Sequence, residues 1–127
     1  MRKRLILILV ILITLLHFVP TSNIEKETKR EWTVEDSKNY AKDSLVAWQQ
    51  HQWECLDKLW TKESNWRHKA YNKVKVMGKN AGGIPQILGL SPDTNPPAQI
   101  DRGLAYITHR YGTPCMAWKF WQKNKWY

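Results

Sequence analysis

The chain has 127 residues, a formal net charge of +9, eight tryptophans and two cysteines. This length accommodates one folded domain and excludes two. A cationic chain that is rich in tryptophan favours an anionic polymer as its partner. Bacterial cell wall, nucleic acid and membrane surfaces all fit that description, and charge alone does not choose among them.

The first twenty residues have the pattern of an export signal. Residues 1–4 are mostly basic, and residues 5–19 are apolar except for Thr14 and His17. Because this run is shorter than the roughly 18–20 residues that span a bilayer comfortably, it predicts a signal peptide rather than a spanning helix. The residues that follow it offer no clean cleavage site, so an uncleaved signal anchor is the alternative. We therefore expect a secreted or cell-envelope protein, which residues 5–19 would anchor to the membrane if they are retained.

The sequence divides into an export segment at 1–20, a charged linker with the start of a helix at 21–39, and a domain at 40–127. The two cysteines, Cys55 and Cys115, lie in the domain and outside any C-x-x-C motif. They either form one disulfide or remain two buried thiols, and the export signal favours the disulfide. Such a bridge would close about 60 residues and contribute about 4 kcal/mol by loop entropy.

Two helices are predicted in the first half of the chain. The first begins at Thr33, whose hydroxyl can cap the helix while Asp36 supplies the acidic partner three residues on. The second covers Trp53 to Trp66, where the apolar side chains share one arc at about 100° per residue. Glu63 falls inside that arc, and a carboxyl group facing an aromatic interior is expected to have a raised pKa. The alternative is a structural glutamate paired with one of the many Lys and Arg side chains.

The second half predicts a short strand and two more helices. Residues 74–76 alternate like a strand and indicate a small hairpin, and a turn-rich loop covers 91–97. The third helix runs from about residue 98 to 111, with Gly103 in its apolar face marking close packing against another backbone. A fourth helix begins at Thr113, followed by proline at the first helical position. The expected fold is a small, mostly α-helical domain.

Four segments of this domain, taken together, resemble a known family. They are the Cys, Leu-Trp and Glu-Ser pattern within residues 52–66, the Gly-Ile-Pro-Gln loop at 83–86, the run from Thr94 to Ile107, and Arg110 to Cys115 with the aromatic pair Trp126 and Tyr127. In this order they resemble the lysozyme-like lytic transglycosylases, specifically the small secreted type found in aggregation-promoting factors and many phage proteins. The resemblance covers about residues 40–127.

This resemblance implies a single lysozyme-like domain of the goose-type or soluble lytic transglycosylase kind, with a disulfide between Cys55 and Cys115. It also implies a lyase that cleaves the bond between N-acetylmuramic acid and N-acetylglucosamine in peptidoglycan, with Glu63 as the catalytic acid. The chain departs from the family at Gly82, where a tyrosine is usual, so a hydroxyl that would flank the sugar cleft is missing. The segment between Gln86 and Asn95 also looks shorter than usual, which would open one side of the cleft.

The distribution of carboxylates is consistent with the implied reaction. Glycosidases of the two-carboxylate type need a second acid near the anomeric carbon. Beyond Glu63, the candidates for that role are Asp93 and Asp101, and neither lies in a motif that suggests catalysis. In the transglycosylase reaction the acetamido group and the 6-hydroxyl of the substrate supply the missing groups. No metal or external cofactor is expected, and the four histidines show no metal-binding spacing.

Further residues are candidates for binding the substrate. Ser64, Gln86 and Asn95 are predicted to form hydrogen bonds around the acid and the acetamido group, although helix packing for Ser64 and loop bonding for Gln86 are alternatives. Tyr106 is predicted to hold Glu63 or to contact the sugar, again with helix packing as the alternative. Trp66, at the end of its helix, is the tryptophan predicted to reach the cleft. The remaining helical tryptophans are predicted to lie in the core: Trp53, Trp60, Trp118 and Trp121.

The leading functional hypothesis is a secreted, monomeric peptidoglycan lytic transglycosylase whose partner is the glycan strand and which binds no nucleic acid. A non-catalytic wall-binding module is the main alternative, with the absent tyrosine at Gly82 as its support. A hydrolytic lysozyme on the same fold is a further alternative. A nucleic-acid or membrane-active protein rests on charge and tryptophan content alone, since the lysines follow no nucleic-acid motif.

Overall fold

The computed structural model describes residues 30–45, 48 and 50–127. The predicted export segment at 1–20 and residues 21–29 of the predicted linker therefore lie outside the described residues. The chain divides into two units, Met1–Glu31 and Trp32–Tyr127, and the second contains the helices and strands described below. That unit begins at Trp32, and the start predicted from the sequence was residue 40. Within the described ranges, no helix has the length and apolar character that crossing a membrane requires.

The described residues form four helices and a small sheet, which confirms the mostly helical prediction. The helices are α1 (Val34–Ser44), α2 (Gln50–Ser64), α3 (Pro96–Tyr111) and α4 (Pro114–Asn124). The predicted capping box is present at the start of α1, where Thr33 and Asp36 bond reciprocally. Threonine and proline begin α4 as predicted, because Thr113 accepts a hydrogen bond from the Met116 amide.

The predicted hairpin is present and is extended by a third strand. Strands β1 (Tyr71–Val76), β2 (Lys79–Gly82) and β3 (Ile87–Leu88) form an antiparallel sheet in the order β1-β2-β3. All six residues of β1 are exposed to solvent. The sheet therefore projects from the helices and can form a wall beside them without joining the core.

The core forms around α2, and its predicted apolar arc is confirmed. The fully buried side chains on this helix are Leu56, Leu59 and Trp60, which pack with Ile100 and Ile107 of α3. Gly103 has the predicted role of a close-packing position, although its neighbours are side chains rather than backbone. A Cβ there would lie 2.5 Å from Trp60 Cζ2 and 2.8 Å from Pro85 Cβ, so only glycine lets α3 approach this closely.

A disulfide between Cys55 and Cys115 joins α2 to α4, as the resemblance implied. The two residues are 60 positions apart in the sequence, so the bridge contributes about 4 kcal/mol by restricting the unfolded chain. The amide of Cys115 also donates a hydrogen bond to Gln52 Oε1 at 2.9 Å. Together these contacts fix α4 beside the helix that carries Glu63.

Candidate functional site

Glu63 lies in the last turn of α2, and its side chain is half-buried. The indole Nε1 of Trp121, on α4, donates a hydrogen bond of 2.6 Å to Glu63 Oε1. The partner of this carboxyl group is therefore an indole. This finding contradicts the alternative of a structural glutamate paired with Lys or Arg, since no ion pair of Glu63 occurs among the described residues.

The surroundings of Glu63 favour its neutral form. Burial raises the pKa of Glu63 from 4.5 to about 7, and the hydrogen bond from Trp121 opposes part of that rise by stabilising the carboxylate. The predicted rise of the pKa is confirmed. Near neutral pH the group can therefore hold a proton and release it, which is the requirement for general acid and base chemistry.

Glu63 opens onto a cleft of about 760 Å³ between the sheet and the helices. The sheet and the loop before β3 supply one wall, and α3 and the segment after α4 supply the other. Glu63 is the one carboxylate among the described residues that line it. The other lining residues are Asn72, Val76, Met77, Ala81, Gln86, Ile87, Leu88, Tyr106, Arg110, Lys125, Trp126 and Tyr127. A cleft with these dimensions and largely apolar walls can hold a small ligand or a segment of a polymer.

The loop at residues 83–86 is held in place by buried side chains. Gln99, which is fully buried on α3, accepts a hydrogen bond from the Ile84 amide and donates others to the carbonyls of His68 and Thr94. Ser64 donates from Oγ to the Ile84 carbonyl at 2.6 Å. These bonds satisfy loop groups that burial would otherwise leave unpaired, and they fix the loop relative to Glu63.

The segment after α4 returns to the core and completes the cleft. Tyr127 accepts a hydrogen bond from Trp60 Nε1 at 2.9 Å and donates one to the Pro85 carbonyl at 2.7 Å. Its ring meets that of Tyr106 edge to face, with 5.6 Å between centroids. The aromatic pair at 126–127 was noted in the sequence only as part of the resemblance, and the structure places both residues in the cleft wall.

Two of the five predicted substrate-binding residues line the cleft together with Glu63. Gln86 does so although its amide also donates to the carbonyls of Gly83 and Ala70, the loop bonding that was the alternative for it. Tyr106 also lines the cleft, and its hydroxyl accepts a hydrogen bond from Arg110. No hydrogen bond between Tyr106 and Glu63 occurs in the described part of the chain.

The prediction that Trp66 reaches the cleft is wrong. Asn65 and Trp66 have φ values of 56° and 61°, so the chain leaves α2 before this side chain. The ring turns into the core, where it is 1% exposed and donates to Asp57 Oδ1. The helical projection failed here because it extended a regular helix two residues beyond the true end at Ser64.

The positions of Ser64 and Asn95 also differ from the prediction. Ser64 is buried, and its hydroxyl is bound to the Ile84 carbonyl, so it supports the loop and does not line the cleft. Asn95 is the N-cap of α3 and accepts from the Ala98 amide at 2.9 Å. Capping satisfies one of the free amides at the start of the helix. Both residues therefore position the elements that form the site.

Trp121 was predicted from the sequence to lie in the core, and its contact with Glu63 was not predicted. Trp121 packs against the core and stacks on Trp118, with 5.3 Å between ring centroids, while its indole N–H reaches the carboxyl group. A buried indole N–H usually finds an acceptor. The sequence placed Glu63 in an apolar arc and offered several tryptophans predicted to be buried, but a separation of 58 residues gave no indication of which one donates to Glu63.

The structure also shows why position 82 is glycine, the residue at which the sequence differs from the motif that it resembles. Gly82 is buried in the central strand, paired with Tyr71 on one side and Ile87 on the other. A Cβ at this position would overlap the carbonyl oxygen of Leu90. The backbone therefore has no room for a side chain here, and a tyrosine would meet Leu90 before it could reach the cleft.

The two aspartates that were considered as second acids are engaged elsewhere. Asp93 forms an exposed ion pair with Lys69, and Asp101 accepts hydrogen bonds from the Tyr40 hydroxyl. Neither residue lines the cleft. In the part of the chain that the structure describes, no group of three or more His, Cys, Asp or Glu side chains is arranged to hold a metal ion.

Comparisons with protein-family models, curated proteins and solved structures found no match to this chain. The class of protein therefore has to be inferred from the cleft and from the sequence motifs that form it. The cleft has one half-buried acid with an elevated pKa, aromatic and apolar walls, and two cations, Arg110 and Lys125.

The contact between Trp121 and Glu63 predicts the effect of a single substitution. Trp121→Phe removes the hydrogen bond that lowers the pKa of Glu63, so that pKa should rise above its present value of about 7. Carbon-detected NMR titration of the glutamate carboxyl groups would measure the change. Trp53→Phe is the matched control, because Trp53 also packs against the core, whereas the hydrogen bond to Glu63 comes from Trp121. An unchanged or lower pKa in Trp121→Phe would contradict the assignment of this hydrogen bond.

Proposed function

We propose that this protein is a secreted peptidoglycan lytic transglycosylase that cleaves the β-1,4 bond between N-acetylmuramic acid and N-acetylglucosamine. The observation that carries the proposal is Glu63, a half-buried acid with a pKa of about 7 that opens onto the cleft. A carboxyl group that stays protonated near neutral pH is the general acid that a glycosidic oxygen needs in order to leave.

The hydrogen bond to Trp121 orients the acid for the first step. Because Oε1 accepts from the indole, Oε2 is the oxygen that carries the proton to the substrate. Glu63 transfers this proton to the glycosidic oxygen as the bond to the anomeric carbon breaks, and the N-acetylglucosamine side leaves as an alcohol. The acetamido group of the muramic acid residue stabilises the positive charge that develops at the anomeric carbon.

In the second step the same residue acts as a base. The Glu63 carboxylate takes the proton of the sugar's own 6-hydroxyl while that oxygen bonds to the anomeric carbon, closing a 1,6-anhydro ring. Glu63 is protonated again at the end of the cycle, and no water is consumed. A pKa near the working pH suits a group that must both donate and accept a proton.

Three further observations support this proposal. Glu63 is the one described carboxylate in the cleft lining, which suits a reaction in which the substrate supplies the second group. The disulfide between Cys55 and Cys115 is the one that the family resemblance implies, and it agrees with an exported protein. The loop at residues 83–86, which the family uses to line its sugar cleft, contributes Gln86 to this one.

The test is mass spectrometry of the soluble products released from intact peptidoglycan by the full chain with its disulfide formed. We expect fragments lighter by one water than hydrolysed muropeptides, and none from the Glu63→Gln variant. Glu54→Gln is the matched control, because Glu54 is an exposed residue on the same helix. Hydrated reducing ends would instead indicate a lysozyme. A folded protein that binds the wall and releases nothing would indicate the non-catalytic module.

A further inference from the structure

Arg110 is a charged residue of the cleft wall that the proposed reaction does not use. It lies on α3, one turn after Tyr106, and lines the same cleft as Glu63. Its guanidinium carbon lies 5.8 Å from the ring centroid of Tyr106, 5.5 Å from that of Tyr111 and 5.1 Å from that of Trp126. Rings at these distances attract a cation and hold it in place.

The hydrogen-bonding capacity of Arg110 is largely available for a ligand. Its Nη1 donates one bond of 2.7 Å to the Tyr106 hydroxyl, whereas a guanidinium has five N–H donors. Arg110 forms no ion pair within the described ranges of the chain. The cation is thus fixed by aromatic rings and a hydroxyl, and no side-chain carboxylate in the described part of the chain pairs with it.

The causes of the raised Glu63 pKa do not include Arg110. The pKa of Glu63 is governed by burial and by the Trp121 hydrogen bond, so the arginine is not what tunes the acid. The second cation of the cleft, Lys125, lies over the Trp121 ring at 5.1 Å. With Glu63 protonated, the cleft therefore presents positive charge and attracts an anion.

We propose that Arg110 binds a carboxylate of the substrate and thereby selects glycan strands that carry this group over neutral strands. A guanidinium matches a carboxylate in a two-bond fork, and an arginine that is already held by neighbouring rings loses little freedom on binding. In peptidoglycan the carboxylate is either that of a peptide-free lactyl group or one on the attached peptide. The inference rests on the proposed function for the identity of the strand, and it does not require that the strand be cleaved.

The experiment measures binding without turnover, using the full chain with Glu63→Gln as the starting protein. Isothermal titration would compare three soluble strands of equal sugar number. These are peptide-free strands with lactyl carboxylates, peptide-bearing strands, and chitooligosaccharides, which have no carboxylate. Adding Arg110→Gln should weaken binding of at least one carboxylate-bearing strand by about tenfold or more, as expected for a hydrogen bond to a charged group. Binding of chitooligosaccharides should change less than about twofold.

Arg102→Gln is the matched control, because Arg102 lies on the same helix and is exposed outside the cleft lining. Arg102→Gln removes the same charge and should leave the preference for carboxylate-bearing strands over chitooligosaccharides unchanged. Arg110→Lys should restore part of the affinity, since it keeps the charge and loses the fork. The strand whose binding is lost identifies the source of the carboxylate.

Equal loss of binding for charged and neutral strands would overturn the proposal, because it would indicate a packing role for Arg110. No loss for any strand, or no binding of any strand by the starting protein, would overturn it as well. The proposed function is judged separately by the products of the protein with native Glu63. Carboxylate selectivity without anhydro products would support the Arg110 site and refute the proposed reaction. Anhydro products without carboxylate selectivity would support the reaction and refute the Arg110 site.

Discussion

Replacing Glu63 with glutamine is expected to abolish cleavage of glycan strands and, above pH 7, to stabilise the folded protein. Loss of the proton donor should lower the rate by at least about a hundredfold, the lower end of general acid–base contributions. The stabilisation follows from the raised pKa of the carboxyl group, about 7 in the fold against the ordinary 4.5. The contribution of such a group to the free energy of unfolding is fully present below pH 4.5. It is lost as the pH rises through about 7.

The stability of the Glu63→Gln variant should therefore diverge from that of the native protein between pH 4.5 and 7. Glutamine stays neutral throughout, and its side-chain oxygen can still accept from Trp121. A pKa difference of one unit corresponds to about 1.4 kcal/mol. Because Glu63 is only half-buried and solvent screens it, we expect a total gain of about 1–2 kcal/mol at pH 8. Denaturant unfolding of both proteins at pH 4 and pH 8 would measure it.

Loss of activity together with a gain in stability at high pH distinguishes a catalytic acid from a structural one. If an ion pair held Glu63, replacing this residue would destabilise the folded protein. The loss would be largest at high pH, where the carboxylate is charged. Glu54→Gln, the exposed control on the same helix, should change neither activity nor the pH dependence of unfolding. A Glu63→Gln variant that is inactive and less stable than the native protein at pH 8 would contradict our account of this site.

What could be predicted from the sequence was local. The capping box of Thr33 and Asp36 and the proline start of α4 depend on neighbours within a few residues, and both were predicted. Glu63 could be singled out because a helix repeats about every 3.6 residues, which placed it among the apolar side chains of α2. Its raised pKa follows from that placement and needs no knowledge of the partner.

What could not be predicted depends on contacts between distant segments. The partner of Glu63 is 58 residues away, and the bond from Trp60 to Tyr127 spans 67 residues. The error at Trp66 had a different cause, since two consecutive residues with positive φ ended the helix. Asparagine adopts this conformation more readily than most residues, so Asn65 was a possible sign of the helix end, whereas positive φ at a tryptophan is uncommon.

Placing a tyrosine at Gly82, as in the family that the sequence resembles, is expected to destabilise this protein by about 3 kcal/mol or more, at the upper end of overpacking effects. The Cβ itself would overlap the carbonyl oxygen of Leu90, so no choice of rotamer relieves the clash. Strand β2 cannot shift away, because it is paired on both sides. Gly82→Ala should therefore show much of the same loss, and thermal and denaturant unfolding of both variants would measure it.

Ala81→Tyr is the informative comparison, because successive side chains of a strand point to opposite faces. Ala81 lines the cleft and Gly82 does not, so a tyrosine at position 81 should project towards the ligand and change stability by less than about 1 kcal/mol. A stable and more active Gly82→Tyr protein would contradict this account. If the loss occurs as expected, the absent tyrosine reflects the close approach of Leu90 to β2, and it ceases to be an argument for a cleft that binds glycan without cleaving it.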